Sequence, residues 1–312
     1  MSKAHLYLFS DACPTDWLVD GQDEVWHTIV NLVFQSDPQL QPLIEQGRSH
    51  EEILGQDASY AGLITKIQSQ LPSGKLLKWK RRGYRPKFCA AFAATLSEFK
   101  PIISACSFQE KTLRACKQAL LESYNQHIGG VEGRGIGFEE FMDDKGRLQM
   151  KHCFVNLHGC HEIQATESQM LVLLLTSWFI ADQFRFFYKE IVSSGKYGFD
   201  SLGLTVVSDK LSGDNHLKQI SERNLQNLID PERENIPFIL TRSSRSDTFS
   251  GDLLVDNLAG WLNSAMVEPT GQYAEYATNL IPAGVWPGWH QLLPSVSKLE
   301  SVPAVSRLNR SA

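Results

Sequence analysis

The sequence has no unbroken apolar run of the length that crosses a membrane, and we expect no leader of the kind that secreted proteins carry. Its most apolar stretch, residues 170–180, is followed at once by Asp182 and Arg185, whereas a membrane span needs about 20 apolar residues. The apolar stretch near the N-terminus stops at Asp11, which is too soon for a signal peptide. We therefore expect a cytoplasmic protein with no membrane partner.

Cysteine is sparse, and charge of neither sign dominates. The six cysteines are scattered over 312 residues, so we expect free thiols rather than a disulfide framework. A His/Cys cluster over residues 152–161 has zinc-ligand types in no recognised zinc order, which favours incidental placement. The formal net charge of -5 excludes a uniformly basic nucleic-acid coat but allows a local basic patch. Phosphate-loop and GxSxG motifs are absent from the sequence.

Hydrophobic patterning predicts an α/β protein. With 42% hydrophobic residues the chain can bury a substantial core. We predict strands over residues 5–10, 25–34, 102–108, 148–157, 202–207 and 236–240, and helices over 87–99, 109–127, 167–192, 215–228 and 252–265. This order indicates a mixed sheet flanked by helices. One domain should span residues 1–280, with helical insertions near 40–71 and 129–192, before a partly flexible C-terminal extension over 281–312.

Three aspartates stand where a metal site could form. Asp11 ends the first predicted strand, Asp209 ends the strand LTVVS, and Asp256 lies in the last predicted helix. Carboxyl ends of neighbouring strands converge, so Asp11 and Asp209 could share Mg²⁺ or Mn²⁺, with Asp214 as a reserve ligand. Such ions orient water and stabilise the leaving oxygen in phosphodiester cleavage. The alternative is that these acids form turns, cap helices or are solvated.

Short motifs around these acids resemble a known family. YLFSDACPTD, with Asp11, and GDLLVDNLAGWLN, with Asp256, are similar to the ends of a ribonuclease H-like family of uncharacterised bacterial proteins. Its members begin with a strand running into an aspartate and end with a helix like QLADLIAG, and Asp209 in VVSDK looks like the fourth-strand acid of that fold. The resemblance implies a ribonuclease H-like fold and Mg²⁺-dependent phosphodiester chemistry, with Asp11, Asp209 and Asp256 as the catalytic and metal-binding set. Where the family usually has DESG, this chain has DACP.

A basic segment, KLLKWKRRGYRPK, covers residues 75–87 without a single acid. It could follow a phosphate backbone while Trp79 and Tyr84 stack on unpaired bases. The residues predicted to bind nucleic acid are Lys78, Lys80, Arg81, Arg82 and Arg85. A solvated basic surface, or a contact with an acidic protein partner, is the alternative interpretation.

Together these features predict a metal-dependent nuclease or nucleic-acid-processing protein with Mg²⁺ or Mn²⁺ as cofactor. The competing hypothesis is a non-catalytic scaffold on the same fold that binds nucleic acid or a protein partner. The missing acid in DACP favours the scaffold. The sequence does not choose between DNA and RNA, and it does not predict the oligomeric state.

Overall fold

The structure is a computed structural model. It describes residues 3–13, 24–99, 101–118, 120–121, 137–146, 148–156, 159–208, 225, 250–278 and 285–286. The strands are β1 (Lys3–Cys13), β2 (Trp26–Gln35), β3 (Ile102–Gln109), β4 (Gly137–Met142), β5 (Leu148–Asn156), β6 (Gly159–Thr166), β7 (Ser201–Ser208) and β8 (Val285–Trp286). The α-helices are α1 (Gln41–Glu45), α2 (His50–Gln56), α3 (Ala58–Gln70), α4 (Arg85–Phe99), α5 (Glu110–Ala115), α6 (Glu167–Tyr188), α7 (Ser250–Val267) and α8 (Gln272–Thr278).

The main sheet has the strand order β7-β1-β2-β3-β8. β1, β2 and β3 are antiparallel neighbours, whereas β7 runs parallel to β1 on its other side. The central strands β1, β2 and β3 are almost continuously buried because both faces of the sheet are covered. The predicted α/β class is therefore confirmed. One detail differs: β1 continues to Cys13, so Asp11 lies within the strand, paired with Val30, rather than beyond its end.

Helices cover both faces of this sheet. On one face, Tyr7 and Phe9 of β1 and Leu32 of β2 pack against α7 and the helices α2 to α4. On the other face, residues such as Leu6 and Leu204 pack against α6. The segment Glu167–Ser193, which includes α6, is long and apolar enough to cross a membrane, but 72% of its most apolar window is buried inside the protein. That burial supports the sequence interpretation of a core helix.

The two predicted helical insertions have different outcomes. Residues 40–71 form α1, α2 and α3, and the side chains of Ser49 and Asp57 cap the N-termini of α2 and α3. The prediction of a helical insertion over residues 129–192 is wrong for β4 and β6, whereas β5 confirms the strand predicted over residues 148–157; the three strands form a separate antiparallel sheet. A glycine in the sequence marks the turn between β4 and β5. Gly146 adopts a φ of 71° there, a conformation that favours glycine. Among the described residues of this region, only the C-terminal part is helical.

Several predictions lie outside the described residues. They concern the glycine-rich stretch before Gly137, the predicted strand over residues 236–240, and the extension from residue 287 onward. Only Leu225 of the predicted helix over residues 215–228 is described. Asp209 and Asp214, two of the four candidate metal ligands, are also outside the described part of the chain.

A buried amide pair links the sheet to α6. Asn31 of β2 donates a hydrogen bond from Nδ2 to Oε1 of Gln183, at 2.9 Å. Within the part of the chain that the structure describes, Asn31 Oδ1 and Gln183 Nε2 have no further hydrogen-bond partner. The pair therefore depends on a single bond in an environment that penalises unpaired polar groups.

Replacing Asn31 with leucine should lower the free energy of unfolding by about 1–3 kcal/mol, because it leaves the buried amide of Gln183 without its partner. The double variant Asn31→Leu/Gln183→Leu should lose less than the sum of the two single changes, since it leaves neither amide behind. Urea unfolding of the wild type, both single variants and the double variant measures this coupling. Strictly additive losses would contradict the expected role of the pair.

Candidate nucleic-acid and metal site

Asp11 lies on the sheet face that α7 covers. Side chains alternate along a strand, so Asp11 shares the face of Tyr7 and Phe9, both of which pack in the core beneath α7. Asp11 itself is half-buried, and its Oδ1 accepts a hydrogen bond from the amide of Ala12 at 2.8 Å. The carboxylate therefore stands near the end of the sheet with part of its surface open to solvent.

The neighbouring parallel strand leads toward a second aspartate. The register of β1 and β7 pairs Ser10 with Ser208, the last residue of β7. Asp11 follows Ser10 and Asp209 follows Ser208 in the sequence. Asp209 lies outside the described residues, so the described geometry of this pair ends at the two serines.

Helix α7 packs across β1 and β2 on the sheet face that Asp11 shares. Near its start, a Cβ added at Gly251 would meet the Phe9 ring at 2.3 Å, so only glycine allows this close approach. Near its end, Asn263 Oδ1 accepts a hydrogen bond from the hydroxyl of Thr28 at 3.1 Å. Asp256 lies between these two contacts along the helix.

Asp256 has a partner that the sequence did not predict. Its Oδ2 accepts a hydrogen bond from the backbone amide of Trp79, at 2.9 Å. The next residue, Asn257, donates from Nδ2 to the backbone carbonyl of Leu77, at 2.7 Å. Two consecutive side chains of α7 therefore bind the backbone at the centre of the basic segment.

Trp79 and Tyr84 are buried rather than displayed. Each is 7% exposed, so neither ring is available to stack on a nucleic-acid base. The Trp79 ring packs on α7 at Gly260, where an added Cβ would lie 2.1 Å from the ring. The guanidinium of Arg85 lies 4.9 Å from the centre of the Trp79 ring, and its Nε donates to the Trp79 carbonyl at 2.7 Å. The stacking role expected for these aromatic residues is therefore wrong.

The remaining basic side chains of the segment are mostly exposed. We define the basic surface as Lys75, Lys80, Arg81, Arg82 and Lys87, all of which are exposed. Of the other residues predicted to bind nucleic acid, Lys78 is half-buried and Arg85 holds Trp79. A clustered positive surface of this kind attracts phosphate groups.

The described residues do not assemble the whole predicted metal set. Among them, no group of three or more His, Cys, Asp or Glu side chains is arranged to hold a metal ion. Sequence reasoning gave no role to Asp252, a 4% exposed carboxylate one helical turn before Asp256. The charge of Asp252 acts on the nearby hydroxyl of Tyr60. Burial raises the pKa of Tyr60 strongly, and the Asp252 carboxylate raises it further. Its spacing of four residues from Asp256 on one helix is the sequence signal that could have identified it.

A second charged cluster lies on the opposite face of the sheet. Glu110, 2% exposed, binds His27 Nε2 through Oε2 at 2.5 Å and accepts a hydrogen bond from the Ser168 hydroxyl through Oε1. The carboxylate thus stands between serine and histidine, whereas a serine nucleophile needs the histidine as its direct neighbour. In these contacts Glu110 separates the Ser168 hydroxyl from His27, so these three side chains are not arranged as a Ser-His-Glu catalytic triad.

Comparisons with known proteins add no assignment. No family model, curated protein or solved structure matches the chain.

Proposed function

We propose that this protein is a ribonuclease H-like, metal-dependent nuclease or nucleic-acid-processing protein that acts on phosphodiester bonds. The strand arrangement supports this fold: three antiparallel strands are followed by a fourth, β7, that lies parallel to β1 on its free side. Helices on both faces, and helix α7 packed across β1 and β2, agree with the same arrangement. The motifs around Asp11 and Asp256 resemble those of the ribonuclease H-like family.

The observation that carries the catalytic part of the proposal is the register of β1 and β7. Ser10 and Ser208 are paired on parallel neighbours, and an aspartate follows each of them. Neighbouring strands lie about 4.8 Å apart. One more residue of the same register would therefore bring Asp11 and Asp209 close enough to bind one cation.

Carboxylate oxygens suit Mg²⁺ or Mn²⁺, so the donor set fits the proposed cofactor. Asp11 and Asp209 would hold the ion, and Asp214 remains a reserve ligand. A divalent cation bound there supplies activation of water and stabilisation of the leaving oxygen. The basic surface would hold the phosphate backbone, because its five side chains are exposed and uniformly positive.

A non-catalytic scaffold is the second candidate function. The observation that favours it is the hydrogen bond from the Trp79 amide to Asp256, which gives one predicted metal ligand a structural role. The sequence DACP after β1 also lacks the second acid of the family motif. Such a scaffold would bind nucleic acid through the same basic surface without cleaving it.

Calorimetric titration with MnCl₂ tests the catalytic proposal. We expect the wild type to bind Mn²⁺ and Asp11→Ala to bind it at least about tenfold more weakly, because a carboxylate ligand is removed. Asp144→Ala is the matched control, since Asp144 is exposed and follows β4 in the separate sheet. Its Mn²⁺ affinity should equal that of the wild type.

The same three proteins should then be compared for Mn²⁺-dependent cleavage of a labelled oligonucleotide. We expect cleavage by the wild type and by Asp144→Ala, and none by Asp11→Ala. If the wild type binds no Mn²⁺, even with nucleic acid present, the metal-dependent nuclease is ruled out and the scaffold function replaces it. Cleavage retained by Asp11→Ala would remove Asp11 from the site.

A further inference from the structure

We propose that Asp256 is a positioning residue that fixes the basic segment on α7 and thereby pre-forms the basic surface for a phosphate backbone. This inference rests on the proposed binding of nucleic acid. It assigns to Asp256 a task different from binding metal. We call the contacting group of Asp256, Asn257 and Gly260 on α7, with Trp79 and Arg85 of the basic segment, the clasp.

The clasp holds the Trp79 backbone from both sides. Asp256 accepts the hydrogen bond of the Trp79 amide at 2.9 Å, and Arg85 donates to the Trp79 carbonyl at 2.7 Å. Both bonds involve a charged side chain, which makes them stronger than bonds between neutral groups. Because Trp79 is buried, breaking either bond leaves a backbone group without water to replace its partner.

Side-chain packing closes the clasp around the same residue. The Trp79 ring occupies the space that a side chain at Gly260 would fill. It also meets the ring of Tyr273 edge-on, with ring centres 5.4 Å apart. Asn257 adds its hydrogen bond to the Leu77 carbonyl at 2.7 Å. The segment is thus fixed at two backbone positions and by one large buried ring.

The exposed cations follow directly on this anchor. Lys80, Arg81 and Arg82 are the next three residues after Trp79, and all three are exposed. A short helical turn, Arg82–Tyr84, then returns the chain to Arg85 and to buried Tyr84. The loop that carries the cations is therefore held at both ends, so binding a phosphate backbone orders fewer residues than it would on a free loop.

Amide hydrogen exchange and oligonucleotide binding together test the inference. In Asp256→Ala we expect the amides around Trp79 to exchange at least about tenfold faster, since a charge-assisted hydrogen bond is lost. Binding of a fluorescein-labelled oligonucleotide, followed by anisotropy, should weaken in the same variant. Asp256→Asn keeps an acceptor oxygen, so it should retain most of the protection and the binding.

Controls separate the clasp from general damage to the helix and from metal binding. Ser264→Ala alters the same helix at a side chain that, among the described residues, donates to the Gly260 carbonyl and not to the basic segment, and it should change neither readout. Exchange in β1 and β2 reports whether each variant is folded. The double variant Arg81→Ala/Arg82→Ala should weaken oligonucleotide binding and its salt dependence while leaving the Trp79 amide protected.

Three results would overturn the inference. Unchanged exchange at Trp79 in Asp256→Ala would show that the carboxylate does not hold the segment. Faster exchange with unchanged oligonucleotide binding would show that the clasp does not serve the basic surface. Loss of Mn²⁺ binding in Asp256→Asn, with oligonucleotide binding lost as well, would assign Asp256 to the metal site instead. If the wild type binds no oligonucleotide, the proposed function fails, whereas the exchange result still reports on the clasp by itself.

Discussion

Replacing Glu110 with alanine should lower the free energy of unfolding by about 2–4 kcal/mol, because it removes a hydrogen-bond partner from two buried groups, on His27 and Ser168, at about 1–3 kcal/mol each. Glu110 is 2% exposed and binds His27, Ser168 and Arg114 through its two oxygens. Burial raises the pKa of Glu110, but the hydrogen bonds from His27 and Ser168 and the charges of His27 and Arg114 outweigh it, so its pKa lies below the ordinary value. The carboxylate is therefore ionised at neutral pH and holds β2, α5 and α6 together.

Urea unfolding at neutral pH measures this effect, with Glu98→Ala as the matched control. Glu98 also pairs with a cation, Lys66, at 3.3 Å, but both side chains are about half exposed. An exposed pair contributes only about 0–1 kcal/mol, so the control should lose little stability. Glu110→Gln keeps the shape without the charge and should lie between the two. If Glu110→Ala is no less stable than Glu98→Ala, the Glu110 carboxylate does not hold β2, α5 and α6 together.

Mild acid should destabilise the protein through His5, a 2% exposed residue of β1. Its Nε2 is hydrogen-bonded to the hydroxyl of Thr205 at 2.8 Å. Burial, followed by the charges of Lys3 and His50, lowers the pKa of His5 from 6.5 to about 4. The unfolded chain therefore takes up the proton first as the pH falls. The contribution of neutral His5 to the free energy of unfolding is fully present above pH 6.5. It is lost as the pH falls from 6.5 to about 4, and no further loss from His5 occurs below that.

A pKa change of this size corresponds to about 3 kcal/mol of stability between the two ends of that pH window. In His5→Gln, which cannot titrate, the free energy of unfolding should fall by about 3 kcal/mol less than in the wild type over the same window. Carboxylates that titrate in both proteins cancel in this comparison. His50→Gln is the control. Burial lowers the pKa of half-buried His50 as well, but less strongly, so this variant should remove less of the pH dependence of stability than His5→Gln does. Equal losses in the wild type and His5→Gln would contradict the role of His5.

Local patterns in the sequence predicted most of the main sheet and its helices. The strands β2, β3 and β7 begin and end within one residue of the predicted bounds, because runs of apolar and β-branched residues are buried on both faces. Helix α7 exceeds its predicted range by two residues at each end. The separate sheet of β4 to β6 was missed apart from β5, since short strands with mixed polar and apolar residues carry a weak periodic signal.

The candidate site shows the limit of such reasoning. The sequence alone singled out Asp11, Asp256 and the basic segment, because charge clusters and acids next to apolar elements are visible without a structure. Their surroundings are set by contacts between distant parts of the chain. The hydrogen bond from Trp79 to Asp256 spans 177 positions, and the burial of Trp79 depends on a glycine at position 260. Periodicity indicates which face of an element is apolar, but not which distant backbone group its polar side chains bind. Only the tertiary structure therefore showed that Trp79 is buried against α7 rather than available to stack on a base.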